Sequence, residues 1–342
     1  MPTIDAAKLE ALATRIFTGL GTPEADARLV ATLLVRANLR GHDSHGAIRI
    51  PQYAMSIKTG HVNPKSPITV LADTPVIARL DGGRGFGQVV AKRGIEMAIA
   101  KAKAMGLSAV TLANTTHVGR LADYAEMAAM EGLVGMLWVN AVFGLNVAPW
   151  GGAARRLGTN PHAIAVPGDG APAMVLDFAT SVVAEGKMRV KKNRKQQAPP
   201  GWFIDAEGKP GTDPEMFYGN PPGSLLTAGE HKGYGLSLAV ELLGGILSGT
   251  GAASPGPGVF ANGTLMICLD VERFMPLPEF RKQVATFFAW VKTAPHVPGG
   301  GEILIPGEPE ARLEAERRRD GIPIEDETWR QIETLAAELG VG

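Results

Sequence analysis

The sequence predicts a mixed α/β protein, a central sheet covered by helices and flanked by a helical layer to which both chain ends contribute. Three observations predict it. Helical periodicity fills the N-terminal part and returns after residue 308. Between them, short apolar runs alternate with helical patterns, the pattern expected of a sheet with crossover helices. The Gly-x-Gly-x-x-Gly turn that opens a Rossmann domain is absent from every strand-to-helix junction. Gly168-x-Gly170-x-x-Ala173 matches it loosely but precedes a strand, and Gly256-x-Gly258-x-x-Ala261 lies in a Gly/Pro loop.

Leu9, Leu12, Ile16 and Leu20 form the apolar stripe of a first helix. Thr22-Pro23 reads as an N-cap followed by proline at the first helical position, and Gly41 as the stop of the second helix. A third helical pattern begins near Ile48. From residue 67 the period changes. Pro67–Leu71 and Val76–Leu80 read as paired strands, with Asp81-Gly82-Gly83 as a turn. A helix over Gly87–Met105 stops at Gly106 and feeds the strand Ala109–Leu112. Tyr124–Met130 is helical, and Leu133–Val139, Ala163–Val166 and Met174–Leu176 are strands. The Pro/Gly-rich stretch Ala198–Gly223 reads as an excursion. Lys232–Leu247 is the most apolar helix, followed by the loop Gly249–Gly258, the strand Thr264–Leu269 and a helix around Glu279–Val291. The tail from Glu308 is charged and helical like the N-terminus. The expected organisation is a helical domain of residues 1–66 joined by 306–342, and a mixed α/β region of residues 67–305 carrying the excursion 198–223.

The 342 residues carry 34 Lys+Arg and 34 Asp+Glu, so no net charge points to nucleic acid or an anionic membrane. The basic run Lys187–Lys195 is the local exception and reads as a solvated helix face. One cysteine, Cys268, excludes an intrachain disulfide framework or a Cys-rich metal site, and its apolar setting marks it as buried. Early acids and no apolar signal core at the N-terminus lead us to expect a cytoplasmic protein. Gly132–Ala154 is uncharged and long enough to span a bilayer, but its asparagines, proline and glycines read instead as a buried strand and a loop.

Four segments can carry chemistry. Gly41-His-Asp-Ser-His-Gly46 places four polar side chains between two glycines at a helix end. Ser beside His fits a hydrolase, but the Gly-x-Ser-x-Gly elbow is missing; His42 and His45 fit metal ligands, but no partner ligand accompanies them. Asn114-Thr-Thr-His117-Val-Gly-Arg120 precedes a helix, where backbone N–H groups and Arg120 can hold a phosphate. Asp177 opens Asp177-Phe-Ala-Thr-Ser181 after a strand and also reads as an N-cap. His231-Lys-Gly-Tyr-Gly235 starts the apolar helix with a lysine suited to an anion. On the residues alone, each segment reads equally as an ordinary turn or cap.

Taken in order, Ala37-Asn-Leu-Arg-Gly-His-Asp-Ser-His-Gly46, Phe86-Gly-Gln88, His117-Val-Gly-Arg120, Gly158-Thr-Asn-Pro161, Asp177-Phe-Ala-Thr-Ser181 and His231-Lys-Gly-Tyr234 resemble the malate/L-lactate dehydrogenase family, whose nucleotide domain is not a Rossmann fold. The resemblance implies an NAD-linked oxidoreductase, with NADP the alternative, usually homodimeric, with a central mixed sheet and a helical domain made by both ends. Its substrate would be a 2-hydroxy/2-oxo carboxylic acid, malate- or lactate-like or aromatic. By the same resemblance His45 is the proton donor/acceptor, with Ser44 and Asp177 as a relay behind it; imidazole suits a proton transfer to a developing alkoxide. Cofactor contacts carry over onto His45, Gly119, Arg120, Leu121, Asp177, Phe178 and Ala179, and further onto Gly229, Phe260, Ile305, Pro306, Gly307 and Glu308. Substrate contacts carry over onto Arg49, His117 and Thr159. Arg49 stands where one branch of the family has methionine; one helical turn beyond His45, its guanidinium suits a carboxylate. No metal, nucleic acid or membrane partner is expected. The competing readings are a metal- or serine-dependent hydrolase built on His42–His45, and a non-catalytic NADH-binding member of the same fold.

Overall fold

A computed structural model describes residues 1–254 and 258–342. Gly256 of the second loose glycine match, and part of the expected 249–258 loop, lie outside the described residues.

The chain opens with β1 (Thr3–Ile4), α1 (Ala6–Gly19), α2 (Glu24–Leu39) and, after a 3₁₀ turn at Asp43–His45, α3 (Arg49–Lys58). Asp5 caps α1 by accepting from the Lys8 N–H at 2.9 Å. Thr22 does not cap α2 as its sequence setting predicts. Pro23 itself occupies the cap position, and the buried Thr22 hydroxyl has no partner among the described residues. Next come β2 (Thr69–Asp73), β3 (Ile77–Asp81), α4 (Gly87–Met105), β4 (Leu107–Thr115), α5 (Ala122–Met130), β5 (Leu133–Val142), β6 (His162–Pro167) and β7 (Pro172–Phe178). Residues 132–154 are therefore mostly strand and loop, and among the described residues no helix is long and apolar enough to cross a membrane.

After α6 (Glu185–Asn193), the stretch expected as an excursion folds into a small lobe of β8 (Phe203–Ile204), β9 (Pro210–Gly211) and α7 (Pro214–Phe217), joined by β10 (Ser224–Leu225). The lobe holds together because Phe203, Phe217 and Leu225 are wholly buried against Val147 and Met188. The apolar helix is not uniform. α8 (His231–Val240) continues as a π-helical turn over Glu241–Ile246. There the Glu241 carboxylate is drawn into the interior, accepting from Asn160 Nδ2 at 2.8 Å, Asn140 Nδ2 at 3.0 Å and the Ala253 N–H at 2.9 Å. The chain then runs through β11 (Ala261–Asp270), α9 (Leu277–Lys292), α10 (Glu308–Asp320), β12 (Ile322–Pro323) and α11 (Asp326–Glu338).

The seven-stranded sheet has the order β2-β3-β4-β11-β5-β6-β7. Only β3 and β4 pair in parallel, which requires the crossover that α4 supplies; every other neighbour is antiparallel. Apolar residues of β4 and β5 such as Val110, Leu112, Leu133 and Leu137 bury one face under α4 and α5, with Ile95, Ala98, Ala125 and Ala128. Cys268 lies in this core, its thiol pushed up to about 12 by burial. The helical layer joins the ends as expected. Leu9, Ile16, Leu34, Ile50 and Phe17 form one apolar cluster with Ile322, Ile332 and Leu335, and β1 pairs with β12.

Candidate active site

The turn after α2 is held from three sides. Gly41 leaves the helix at φ +79, a left-handed conformation that suits glycine. Asn38 donates to Asp43 at 2.7 Å and accepts from the Ala47 N–H at 2.7 Å. Arg317 of α10 reaches back to the Asn38 carbonyl and pairs with Asp43. A side chain at Gly46 would stand 2.2 Å from the Asn38 oxygen, so only glycine fits. This frame fixes Ser44 and His45, whose Oγ and Nδ1 are 2.9 Å apart. Among the described residues no hydrogen bond engages His45 Nε2.

α3 presents Arg49, Gln52, Tyr53 and Ser56 along one side, and all four line a cleft of about 560 Å³ with His45 and His117. The His45 and His117 rings stack with centroids 5.4 Å apart. The Tyr53 hydroxyl accepts from Gln88 Nε2 at 2.9 Å and shares a hydrogen bond of 2.6 Å with His117 Nδ1. Arg49 donates through Nε to the Ser44 carbonyl at 2.7 Å and through Nη1 to Gln52 at 2.5 Å. Among the described residues no carboxylate pairs with it. Burial, then the Arg49, His42 and Arg120 charges, depress the His45 pKa to about 3. Burial first, then Arg49 and His45, hold His117 well below the usual imidazole range, and burial pushes the Tyr53 phenol up to about 12.

A second, longer cleft of about 890 Å³ runs from the same turn, past Gly119–Leu121 and Asp177–Ala179, to His42, Glu310 and Arg317. Ser44, His45, Gly119, Leu121, Thr159 and Gly186 line both clefts, so His45 stands in their common wall. A side chain at Gly186 would lie 2.5 Å from Ser44 Cβ, so glycine there lets the start of α6 close the wall.

Several expected roles come out differently. Asp177 faces the His45 turn across the long cleft and feels the charge of His42. It lies one residue before the end of β7, and its Oδ2 accepts from the Ala122 N–H at 2.8 Å; among the described residues no hydrogen bond joins it to Ser44 or His45. It therefore caps α5 from a distant strand, and no helix opens at 177–181. Burial raises its pKa against the opposing charge of Arg120. Arg120 is not free for a phosphate: it is buried, with Nη1 on Asp123 at 2.8 Å and Nη2 on Glu126 at 2.8 Å. These carboxylates overcome the opposing effect of burial and raise its pKa. Gly229 and the run Ile305–Glu308 line neither cleft. The Pro306 carbonyl accepts from Val175 N–H on β7 at 2.9 Å, and Gly307 caps α10, whose Pro309, Glu310 and Leu313 do line the long cleft. Phe260 lines the shorter cleft, 6.4 Å from the His117 ring. His42 faces Glu310 at 3.7 Å, and among the described residues no three His, Cys, Asp or Glu converge as metal ligands. The sequence reading missed Tyr53 and Gln88, although Tyr53 comes four residues after Arg49 and so shares its helix face.

A sheet of this order, a helical layer closed by both ends, and a histidine between two clefts define an oxidoreductase of the malate/L-lactate dehydrogenase type, and the chain belongs to that family, whose model matches residues 4–333. It is 38% identical over 342 residues to hydroxycarboxylate dehydrogenase B of Escherichia coli strain K12, covering 98% of this chain and 94% of that protein. It is also 38% identical over 327 residues to L-sulfolactate dehydrogenase of Methanocaldococcus jannaschii, covering 94% and 92%. Malate dehydrogenase of Pyrococcus horikoshii superposes with a TM-score of 0.91 at 36% identity, covering 100% of this chain and 96% of that one.

Proposed function

We propose that the chain is a nicotinamide-dependent 2-hydroxycarboxylate dehydrogenase in which His45 exchanges the proton and Arg49 grips the carboxylate. The observation that carries the reading is the position of His45 in the wall shared by two clefts, one of them lined by Arg49, which has no carboxylate partner among the described residues. The longer cleft fits an extended dinucleotide in size, and Gly119, at φ +79, keeps its wall clear of a side chain. Gly119–Leu121 and Asp177–Ala179 would hold that cofactor. When bound, its nicotinamide ring supplies the hydride donor or acceptor.

The substrate belongs in the shorter cleft. Arg49 is fixed through Nε to the Ser44 carbonyl and through Nη1 to Gln52, and among the described residues no hydrogen bond engages its Nη2, so carboxylate binding and His45 placement are coupled. His117 and Thr159 are placed to orient the substrate oxygen. Neutral His45 takes the hydroxyl proton in oxidation. In reduction, a carboxylate on Arg49 offsets the charge that holds the imidazole pKa low and lets His45 carry the proton it donates. Ser44 positions the ring through Nδ1 and leaves Nε2 for the reaction. Malate, lactate and sulfolactate, the substrates named for relatives, share the 2-hydroxy acid unit. A panel of 2-oxo acids, small and aromatic, read by NADH and NADPH absorbance tests the reading; cofactor binding without turnover on any member would favour a non-catalytic protein.

We also propose a homodimer. α8 and its π-helical continuation expose Leu242, Ile246 and Leu247, and α9 exposes Phe287 and Trp290, the last at 70%. Apolar surface of this extent is a common mark of an interface between subunits.

A further inference from the structure

The basic run at 187–195 reads from sequence as a solvated face, but α6 gives it two distinct sides. On one side Arg189 pairs with Glu185 at 3.2 Å and Lys192 with Glu215 at 3.1 Å. On the other side Lys187, Lys191 and Arg194, spaced by four and three residues, line the long cleft with Gly119–Leu121 and Asp177–Ala179. The guanidinium groups along that cleft are all committed: Arg40 to Glu314 and Glu126, Arg120 to Asp123 and Glu126, Arg194 to Glu325, Arg317 to Asp43. Among the described residues no carboxylate pairs with Lys187 or Lys191; Lys191 meets only the Gln196 amide, at 3.3 Å. Two ammonium groups on one helical stripe, facing a cleft in which the other cations are neutralised, make a site for an anion.

We infer that Lys187 and Lys191 hold the pyrophosphate of the dinucleotide, an inference that rests on the cofactor placement proposed above. Distance along the helix selects the pyrophosphate. Gly186 lies where the two clefts meet, so the nicotinamide end belongs beside it. At about 1.5 Å rise per residue, Lys187 and Lys191 stand roughly one residue and one and a half turns farther on. One ribose separates the nicotinamide from the pyrophosphate, whereas the 2′-phosphate of NADP lies beyond the pyrophosphate and a second ribose. Lysine suits this role as a mobile point charge with three donors, and the lobe after α6 anchors the helix through Met188.

The test is a double variant, K187A/K191A, on accessible helical positions where alanine favours the fold. Fluorescence titration with NADH and NADPH, and competition by ADP-ribose, give dissociation constants at several salt concentrations. The inference expects all three to weaken about tenfold, as loss of two solvent-exposed ion pairs would give, with a shallower salt dependence. K187E/K191E should weaken them further. A change below about twofold at low salt, or a loss confined to NADPH, overturns the assignment. If the unmodified protein binds neither NADH nor NADPH, the dinucleotide reading itself fails, which is a separate result.

Discussion

Replacing Arg49 with methionine removes a guanidinium that is attached to the protein on one side and free on the other. Its Nε bond to the Ser44 carbonyl is 2.7 Å and its Nη1 bond to Gln52 is 2.5 Å, and among the described residues no carboxylate offsets its charge. A bound carboxylate would then be the partner that the partly buried site otherwise lacks. Loss of such a desolvated pair costs about 2–5 kcal/mol, or roughly 30- to 5,000-fold in kcat/KM at about 1.4 kcal/mol per tenfold. Steady-state kinetics with a small 2-oxo acid gives that ratio, and fluorescence titration shows whether NADH affinity stays level, as it should. A second signature separates binding from support of the turn. Arg49 is the largest charge holding the His45 pKa down after burial, so in R49M the limb of the pH–kcat/KM profile that reports His45, the alkaline limb for reduction of a 2-oxo acid, should move to higher pH. Relative preference should also move toward bulkier aromatic 2-oxo acids. A fall in kcat/KM of less than about threefold for every acid tested, with an unmoved pH profile, would refute the carboxylate role.

H45Q should keep the fold and lose at least about 100-fold in kcat, with more than about a tenth of the activity retained ruling His45 out as the proton carrier. The same variant should alter stability with pH. The folded His45 pKa lies near 3 against about 6.5 unfolded, so below pH 6.5 the unfolded chain binds a proton that the folded chain refuses. Wild-type stability therefore falls as pH drops through that window, and H45Q, compared at pH 7.5 and 5 by denaturant titration, should gain about 2 kcal/mol relative to wild type. D177A should lower stability by about 1 kcal/mol, as loss of a helix cap does, and leave the pH–kcat profile in place; a shifted profile would restore the relay through Asp177. L242E/W290E should convert the protein to a monomer in light scattering, and an unchanged mass would place the subunit contact elsewhere.

Elements with one strong local signal were legible. The apolar stripes of α1 and α4, the strand runs and the glycine stop after α2 come from periodicity and backbone freedom. The features that escaped the sequence reading depend on partners far away along the chain. Asp177 lies at the close of a strand and so resembles a cap for residues 178–181, yet the N–H it satisfies belongs to Ala122, 55 positions earlier. Arg120 resembles a free anion-binding cation, although the helix that follows it, α5, carries Asp123 and Glu126 within its reach. The Pro/Gly text of 198–223 hides Phe203 and Phe217, which meet edge to face at 5.8 Å and give the lobe its core. The apolar pattern of 232–247 does not reveal that Glu241 points inward, because its donors sit on β5 and near β6.

The clamp on the His45 turn also sets the order in which this molecule can mature. Arg40 meets Glu314, 274 positions later, and Asp43 meets Arg317 across the same separation. During synthesis at about 5–20 residues per second, α1 to α3 emerge tens of seconds before α10 and α11 exist to cover them. The nascent N-terminal helices must wait with Ile16, Leu34 and Ile50 lacking their C-terminal cover, a high-contact-order arrangement that slows folding and invites chaperone binding. A ribosome stalled before residue 308 would thus carry the His45 turn without its clamp, and the arrival of α10 is the event that fixes His45.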